Sequence, residues 1–180
     1  MRNGSWNGRA GGWSFMELTV VLALVALVAI LSVPSWHAWR MRDRIDARVA
    51  LMLTALSLAR SEAIRRGTRV VLCRADGASR CLPDGQACES GRRDWSCDWI
   101  VRSDGPDGMP LRRFGGDARI AIAGGVMPLY FVPPAGQPIG GFRRFEFAPR
   151  AAGFEGTRWH RCLVLAEGGR ARLVPNCTSS

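Results

Sequence analysis

From Leu18 to Val33 the chain is apolar at every position except Thr19 and Ser32. A helix of that kind, apolar all round, needs lipid, a partner or a core to cover it. The run is a little shorter than the ~20 apolar residues of a membrane span, and Trp13, Phe15 and Met16 bring it into range. Glu17 stands at its front edge. Ahead of it the leader MRNGSWNGRAGG carries Arg2 and Arg9 and closes on Gly11 and Gly12. An ordinary secretory signal ends in a small-x-small cleavage site after its apolar core. Here that region reads Leu31-Ser32-Val33-Pro34-Ser35-Trp36, a poor site of that type. A carboxylate costs roughly 2.5–3.5 kcal/mol at the bilayer centre and less at the interface, so Glu17 calls for a partner.

These residues resemble the class III signal of type IV pilins and their pseudopilin relatives. The resemblance implies that a prepilin peptidase cuts after Gly12, on the cytoplasmic side, leaving Trp13 as the mature N-terminus and the site of N-methylation. Glu17 then falls at the fifth mature position, where the family carries its assembly glutamate, and Pro34 at the twenty-second, where many pilins have a helix-kinking proline. Trp13 departs from the family, which usually has phenylalanine there. The expected division is a leader over 1–12, a transmembrane and filament-core helix over 13–34, an amphipathic half of the same helix over 35–67, and a β-rich head over 68–180.

The helix is expected to resume after Pro34, because residues 35–66 contain neither glycine nor proline. Ile45, Val49, Met52, Leu56, Ala59 and Ala63 repeat at spacings of three and four, which places an apolar stripe on one helical face. Gly67 is the expected stop. Pro34 removes one backbone donor and is expected to bend or loosen the helix. The segment LARSEAIRRGTRVVLC, Leu58 to Cys73, and the later DWSCDWIV, Asp94 to Val101, resemble the FimT/GspH branch of the pilin superfamily, with Asp98 where that branch usually has glycine. That resemblance implies an α+β fold, a long pilin helix packed on an all-β, two-sheet head. Read locally, Glu62 is placed to pair with Arg65 and Arg66 along the helix.

Beyond Gly67 the pattern turns to short strands. Arg69–Cys73, Trp99–Arg102, Ala118–Ala123, Leu129–Val132 and Phe142–Phe147 read as strands, and Arg161–Ala166 with Arg170–Val174 as a hairpin around Glu167-Gly168-Gly169. Residues 73–97 and 133–138 read as loops. Six cysteines, all beyond the apolar run, fit an oxidising compartment and a disulfide framework. The sequence leaves their connectivity open. The nearest-neighbour expectation is Cys73–Cys81, Cys88–Cys97 and Cys162–Cys177. No C-x-x-C pair exists and His37 and His160 are the only histidines, so no metal or cofactor is expected.

No nucleophile–base order or carboxylate pair stands out, and the expectation is a protein that is not an enzyme. The net charge is +10, and every basic residue is arginine. That composition suits anionic partners, although a coding preference for arginine would produce it as well. The sharpest surface feature is Gly169-Arg170-Ala171-Arg172. Alternate strand residues leave one face, so Arg170 and Arg172 would project together, about 6–7 Å apart, a spacing that suits adjacent phosphates. The run also resembles the G-R-x-R element of FimT-type minor pilins, which implies DNA contact. The plain alternative is two solvated arginines that discourage edge pairing. Arg143, Arg144, Arg150, Arg158 and Arg161 are candidates to extend a basic patch, and Trp159 is either a base-stacking or a core residue.

Two readings follow from the resemblance. In the first, the chain is a FimT-like minor pilin, single-pass in the bacterial inner membrane with its head in the periplasm, built into a pilus with other pilin subunits and binding DNA for uptake. In the second, it is a GspH-type minor pseudopilin of a type II secretion system, with the same anchor and no DNA partner.

Overall fold

The computed structural model describes residues 14–105, 108–125, 127–140, 143–174 and 177, and over 31–35 it describes the backbone but not the side chains. The cleavage residues Gly12 and Trp13 lie outside these. One helix, α1 (Phe15–Arg66), runs for 52 residues and is continuous through Pro34. Glu17 in its first turn and Arg65 and Arg66 in its last complement the helix dipole. Gly67 ends it with a φ of +63°, a left-handed conformation that glycine adopts without penalty. The chain divides into two compact units at Arg40/Met41.

In the first unit the helix carries large apolar side chains outward, Leu24 58% and Ile30 70% exposed among them. Among the described residues, no helix is long and apolar enough to cross a membrane. The run with described side chains, residues 15–30, spans about 24 Å at 1.5 Å per residue, against a hydrocarbon core of about 30 Å.

Among the described residues, the second unit joins the rest of α1 to nine strands: β1 (Val70–Arg74), β2 (Trp99–Ser103), β3 (Pro110–Phe114), β4 (Ile120–Gly124), β5 (Leu129–Val132), β6 (Gln137–Pro138), β7 (Arg143–Pro149), β8 (Arg161–Leu165) and β9 (Ala171–Val174). They form two antiparallel sheets, ordered β3-β2-β1-β5-β6 and β4-β7-β8-β9. The main core lies between helix and sheets. Ile45, Val49, Met52, Leu56, Ala59 and Ala63 all reach it, joined by Ala55. Its alanines let the sheets approach the helix closely, and Phe131, Phe145 and Phe147 supply volume opposite. Alternation along β7 buries Phe145 and Phe147 and leaves Arg144 and Glu146 on the other face.

Two strands depart from the sequence reading. β3 pairs with β2, although Pro-Leu-Arg-Arg-Phe carries little apolar signal; of its side chains only Phe114 is buried. β6 sits in the proline-rich stretch read as loop, and its two residues pair with β5 at the sheet edge, where a missing N–H is tolerated. The three disulfides are Cys73–Cys81, Cys88–Cys97 and Cys162–Cys177, closing Cα–Cα distances of 5.5, 6.2 and 5.4 Å. The first belongs to a small apolar cluster separate from the main core, with Val71, Ala75 and Ile100. The second forms another with Leu82. Both therefore staple the 73–97 loop rather than the centre of the head.

Among the described residues, two arginines are buried. Arg48 lies over the Trp99 ring at 4.4 Å, and its Nη1 donates to the Gly115 carbonyl at 2.6 Å. Burial pushes its pKa down, and Asp117 and Asp98 oppose the shift. Arg74, at the end of β1, is likewise pushed down by burial, against Asp84 and Asp94.

Candidate functional site

The β8–β9 hairpin is built from its turn outward. The Ala166 N–H donates to the Arg170 carbonyl at 3.0 Å, and the Gly169 N–H to the Ala166 carbonyl at 2.8 Å. Gly169 has a φ of +77°. A Cβ there would stand 3.0 Å from the Gly136 carbonyl oxygen and 3.2 Å from Pro138 Cδ. The turn is thus seated on the segment between β5 and β6. That segment is seated in turn on the helix, where a Cβ on Gly136 would meet Arg60 Cγ at 2.6 Å. Glycine is needed at 169 both for its backbone conformation and for this close approach.

Register decides which side the arginines take. Val164 pairs with Arg144 on one side and Arg172 on the other, and cross-strand partners share a face. Leu163 and Leu165 point into the core, so Arg172 and Arg144 belong to the outer face of this sheet. Arg170 and Arg172 are both exposed. Among the described residues neither guanidinium has a hydrogen bond or ion pair. Arg144 is half-buried and donates from Nη1 to the Cys177 carbonyl at 3.0 Å, which ties it to the disulfide end of the chain.

Two of the wider arginine set are already ion-paired. Arg150 is ion-paired with Asp94. Arg161 reaches back to the helix, with Nε 2.9 Å from Asp46 Oδ1. Arg143 stands against Gly140, where a Cβ would meet its Nη2 at 2.5 Å. Trp159 is core: it is 3% exposed, with Phe154 edge-on at 4.9 Å and the guanidinium carbons of Arg42 and Arg158 each 5.2 Å from its ring centre. It has no open face for a base.

Glu62 accepts from Arg65 Nη2 and Arg66 Nε, each at 2.6 Å. Arg65 first, then Arg66, holds its carboxyl down at about 2. It is a helix-end ion pair. Glu17 is exposed in the first turn of α1. His160 Nδ1 lies 2.5 Å from Glu146 Oε1.

A cavity of about 240 Å³ opens between the two stapled loops, lined by Asp76, Glu89, Asp98 and Arg113 among others. Its carboxylates are already engaged. Glu89 accepts the Gly77 N–H at 2.9 Å, Asp98 holds Arg113 at 2.6 Å and Asp76 holds Arg80 at 2.9 Å. Among the described residues, no group of three or more His, Cys, Asp or Glu is arranged for a metal ion.

Comparison with known proteins adds three findings. The family model described as type II transport protein GspH matches residues 48–169. The type IV minor pilin FimU of Pseudomonas aeruginosa, in a crystal structure in space group P21, is similar in fold, with a TM-score of 0.55 and 21% identity over 74% of this chain and 90% of that one. A second crystal form of FimU, in space group P65, gives a TM-score of 0.49 and 20% identity over 75% and 90% of the two chains. No curated protein matches.

Proposed function

The chain belongs to the GspH family of type II transport proteins, and from that premise we propose that it is a minor type IV pilin whose head contacts DNA. In this reading the peptidase cuts after Gly12, Trp13 is methylated, and the apolar half of α1 anchors the chain in the inner membrane before passing into the filament core. Glu17 neutralises the terminal amine of a neighbouring subunit, since an uncompensated charge in an apolar filament core is costly. The β8–β9 hairpin presents Arg170 and Arg172 to phosphates.

One observation carries the DNA reading. Arg150, Arg161, Arg113 and Arg69 are committed to carboxylates. Arg170 and Arg172 are exposed and carry no such partner among the described residues, so they meet a phosphate without first breaking an ion pair. The test is DNA binding by the full chain in detergent across a salt series, with and without Arg170→Ala/Arg172→Ala. Loss of two phosphate contacts should flatten the log–log salt slope by about 1.8 on duplex DNA. A wild-type chain that does not bind, or a double variant with an unchanged slope, defeats this reading.

The family match also favours a second reading, a minor pseudopilin of a type II secretion system. It expects no DNA binding at any salt, and loss of secretion rather than of DNA uptake when the gene is removed.

A further inference from the structure

Trp36 and Trp39 lie one helical turn apart with ring centres 5.3 Å apart, and they are 56% and 58% exposed. Large aromatic pairs normally end in a core; the three tryptophans of the head, Trp95, Trp99 and Trp159, are each 3% exposed or less. Arg40 follows one turn after Trp36, on the same side of the helix. We propose that Trp36, Trp39 and Arg40 form an interfacial anchor seated in the phospholipid headgroup layer at the end of the apolar segment. This rests on the membrane reading above and adds to it a lipid-binding role for residues outside the apolar run.

Length and chemistry carry the assignment. The apolar residues end at Val33, and α1 continues unbroken, rising about 1.5 Å per residue. Trp36 stands about 4.5 Å beyond Val33 and Trp39 about 9 Å beyond. Each headgroup layer is about 5–7 Å thick, the difference between the whole bilayer and its hydrocarbon core shared over two sides. Helical side chains lean back toward the N-terminus, which returns the Trp39 ring toward the same layer. Indole suits that depth because its ring is apolar and its N–H still finds a polar acceptor. The Arg40 guanidinium is a bidentate donor for a lipid phosphate, and its stem can snorkel along the helix. A soluble phosphate would engage Arg40 but leave both rings in water; a bilayer covers all three.

The test uses the full chain reconstituted in vesicles of phosphatidylcholine and phosphatidylglycerol. Tryptophan emission is quenched by lipids brominated near the headgroup or deep in the acyl chain. The buried head tryptophans contribute no lipid quenching. Trp36→Phe/Trp39→Phe should remove about two-thirds of the lipid-quenchable emission, two of the three tryptophans left outside the head once the leader is cut after Gly12, and should remove it from the shallow quencher rather than the deep one. A photo-crosslinking residue at position 36 should yield a lipid adduct. Resistance to alkaline carbonate extraction is measured in parallel. A chain extracted by carbonate overturns the membrane reading and the anchor with it. A chain that stays inserted, with quenching unchanged in the double variant or with position 36 crosslinking only to a second copy, overturns the anchor and leaves the membrane reading standing.

Discussion

Up to Arg40, α1 turns Leu22, Leu24 and Ile30 outward, each more than half exposed; from Ile45 onward the same helix buries Met52, Ala55, Ala59 and Ala63 completely. Helix bounds do not separate the two halves, since α1 runs from Phe15 to Arg66 with Pro34, which lacks an N–H, inside it. Pattern separates them. The first half is apolar on every side, so no single face can be satisfied by one sheet. The second half confines its apolar residues to one stripe, which the two sheets of its own chain cover, and gives its other face to Arg65, Arg66 and Glu62. One half is completed within the molecule. The other keeps its apolar side chains exposed, and the assembly and membrane roles proposed above attach to it.

The largest effect that tests this contrast is a matched pair of truncations. Met52→Ala opens a cavity in the shared core and should cost the head about 2–5 kcal/mol. Leu24→Ala should leave head stability within about 0.5 kcal/mol. Thermal unfolding of the full chain in detergent, followed by near-UV circular dichroism, compares them; an equal shift for both would erase the distinction. Next is Cys162→Ser/Cys177→Ser, which opens a loop of 15 residues and should cost about 3 kcal/mol. Its effect should be on the second sheet, read as faster amide exchange along β8 and β9. Gly169→Ala is smaller, about 1–2 kcal/mol for a left-handed backbone, and its added Cβ presses on Gly136 and Pro138. Weaker DNA binding with an intact core would tie the hairpin's role to its turn geometry; unchanged melting would show the turn can shift.

The smallest effect is electrostatic. The folded Glu62 carboxyl is held at about 2 by Arg65 and Arg66, below its ordinary 4.5. Its contribution is therefore fully present above about pH 4.5 and is lost as pH falls toward about 2. The melting midpoint of the wild type should drop more steeply over that window than that of Glu62→Gln, and identical pH profiles would remove Glu62 from the account.

Much of this architecture was legible before any coordinates. The helical stripe was readable because each of its residues is three or four positions from the next, and the period alone sets the face. The β8–β9 hairpin was readable because its turn chemistry is local, and so was the β7 alternation. β3 escaped because Leu111, Arg112 and Arg113 are all left partly or fully exposed, and an edge strand held by backbone pairing leaves no apolar pattern. β6 escaped because prolines hide a two-residue edge pairing. The burial of Arg48 escaped too. It lies beside the stripe, yet nothing in the spacing says that Trp99 and the Gly115 carbonyl, far along the chain, will enclose a guanidinium.

The arginines show where the division falls. Their number, their sign and the alternation that sends Arg172 outward were set by the chain itself, through composition and the two-residue period of a strand; Arg170 is exposed just ahead of β9, in the turn. Which of them remain available was decided only in three dimensions. Arg161 is neutralised by Asp46, 115 positions away, and Arg150 by Asp94, 56 positions away. Periodicity and turn chemistry act over a few residues and can be read from a line of letters. An ion pair forms wherever the packing of helix and sheets brings opposite charges within a few ångströms, and that distance exists only once the chain has folded.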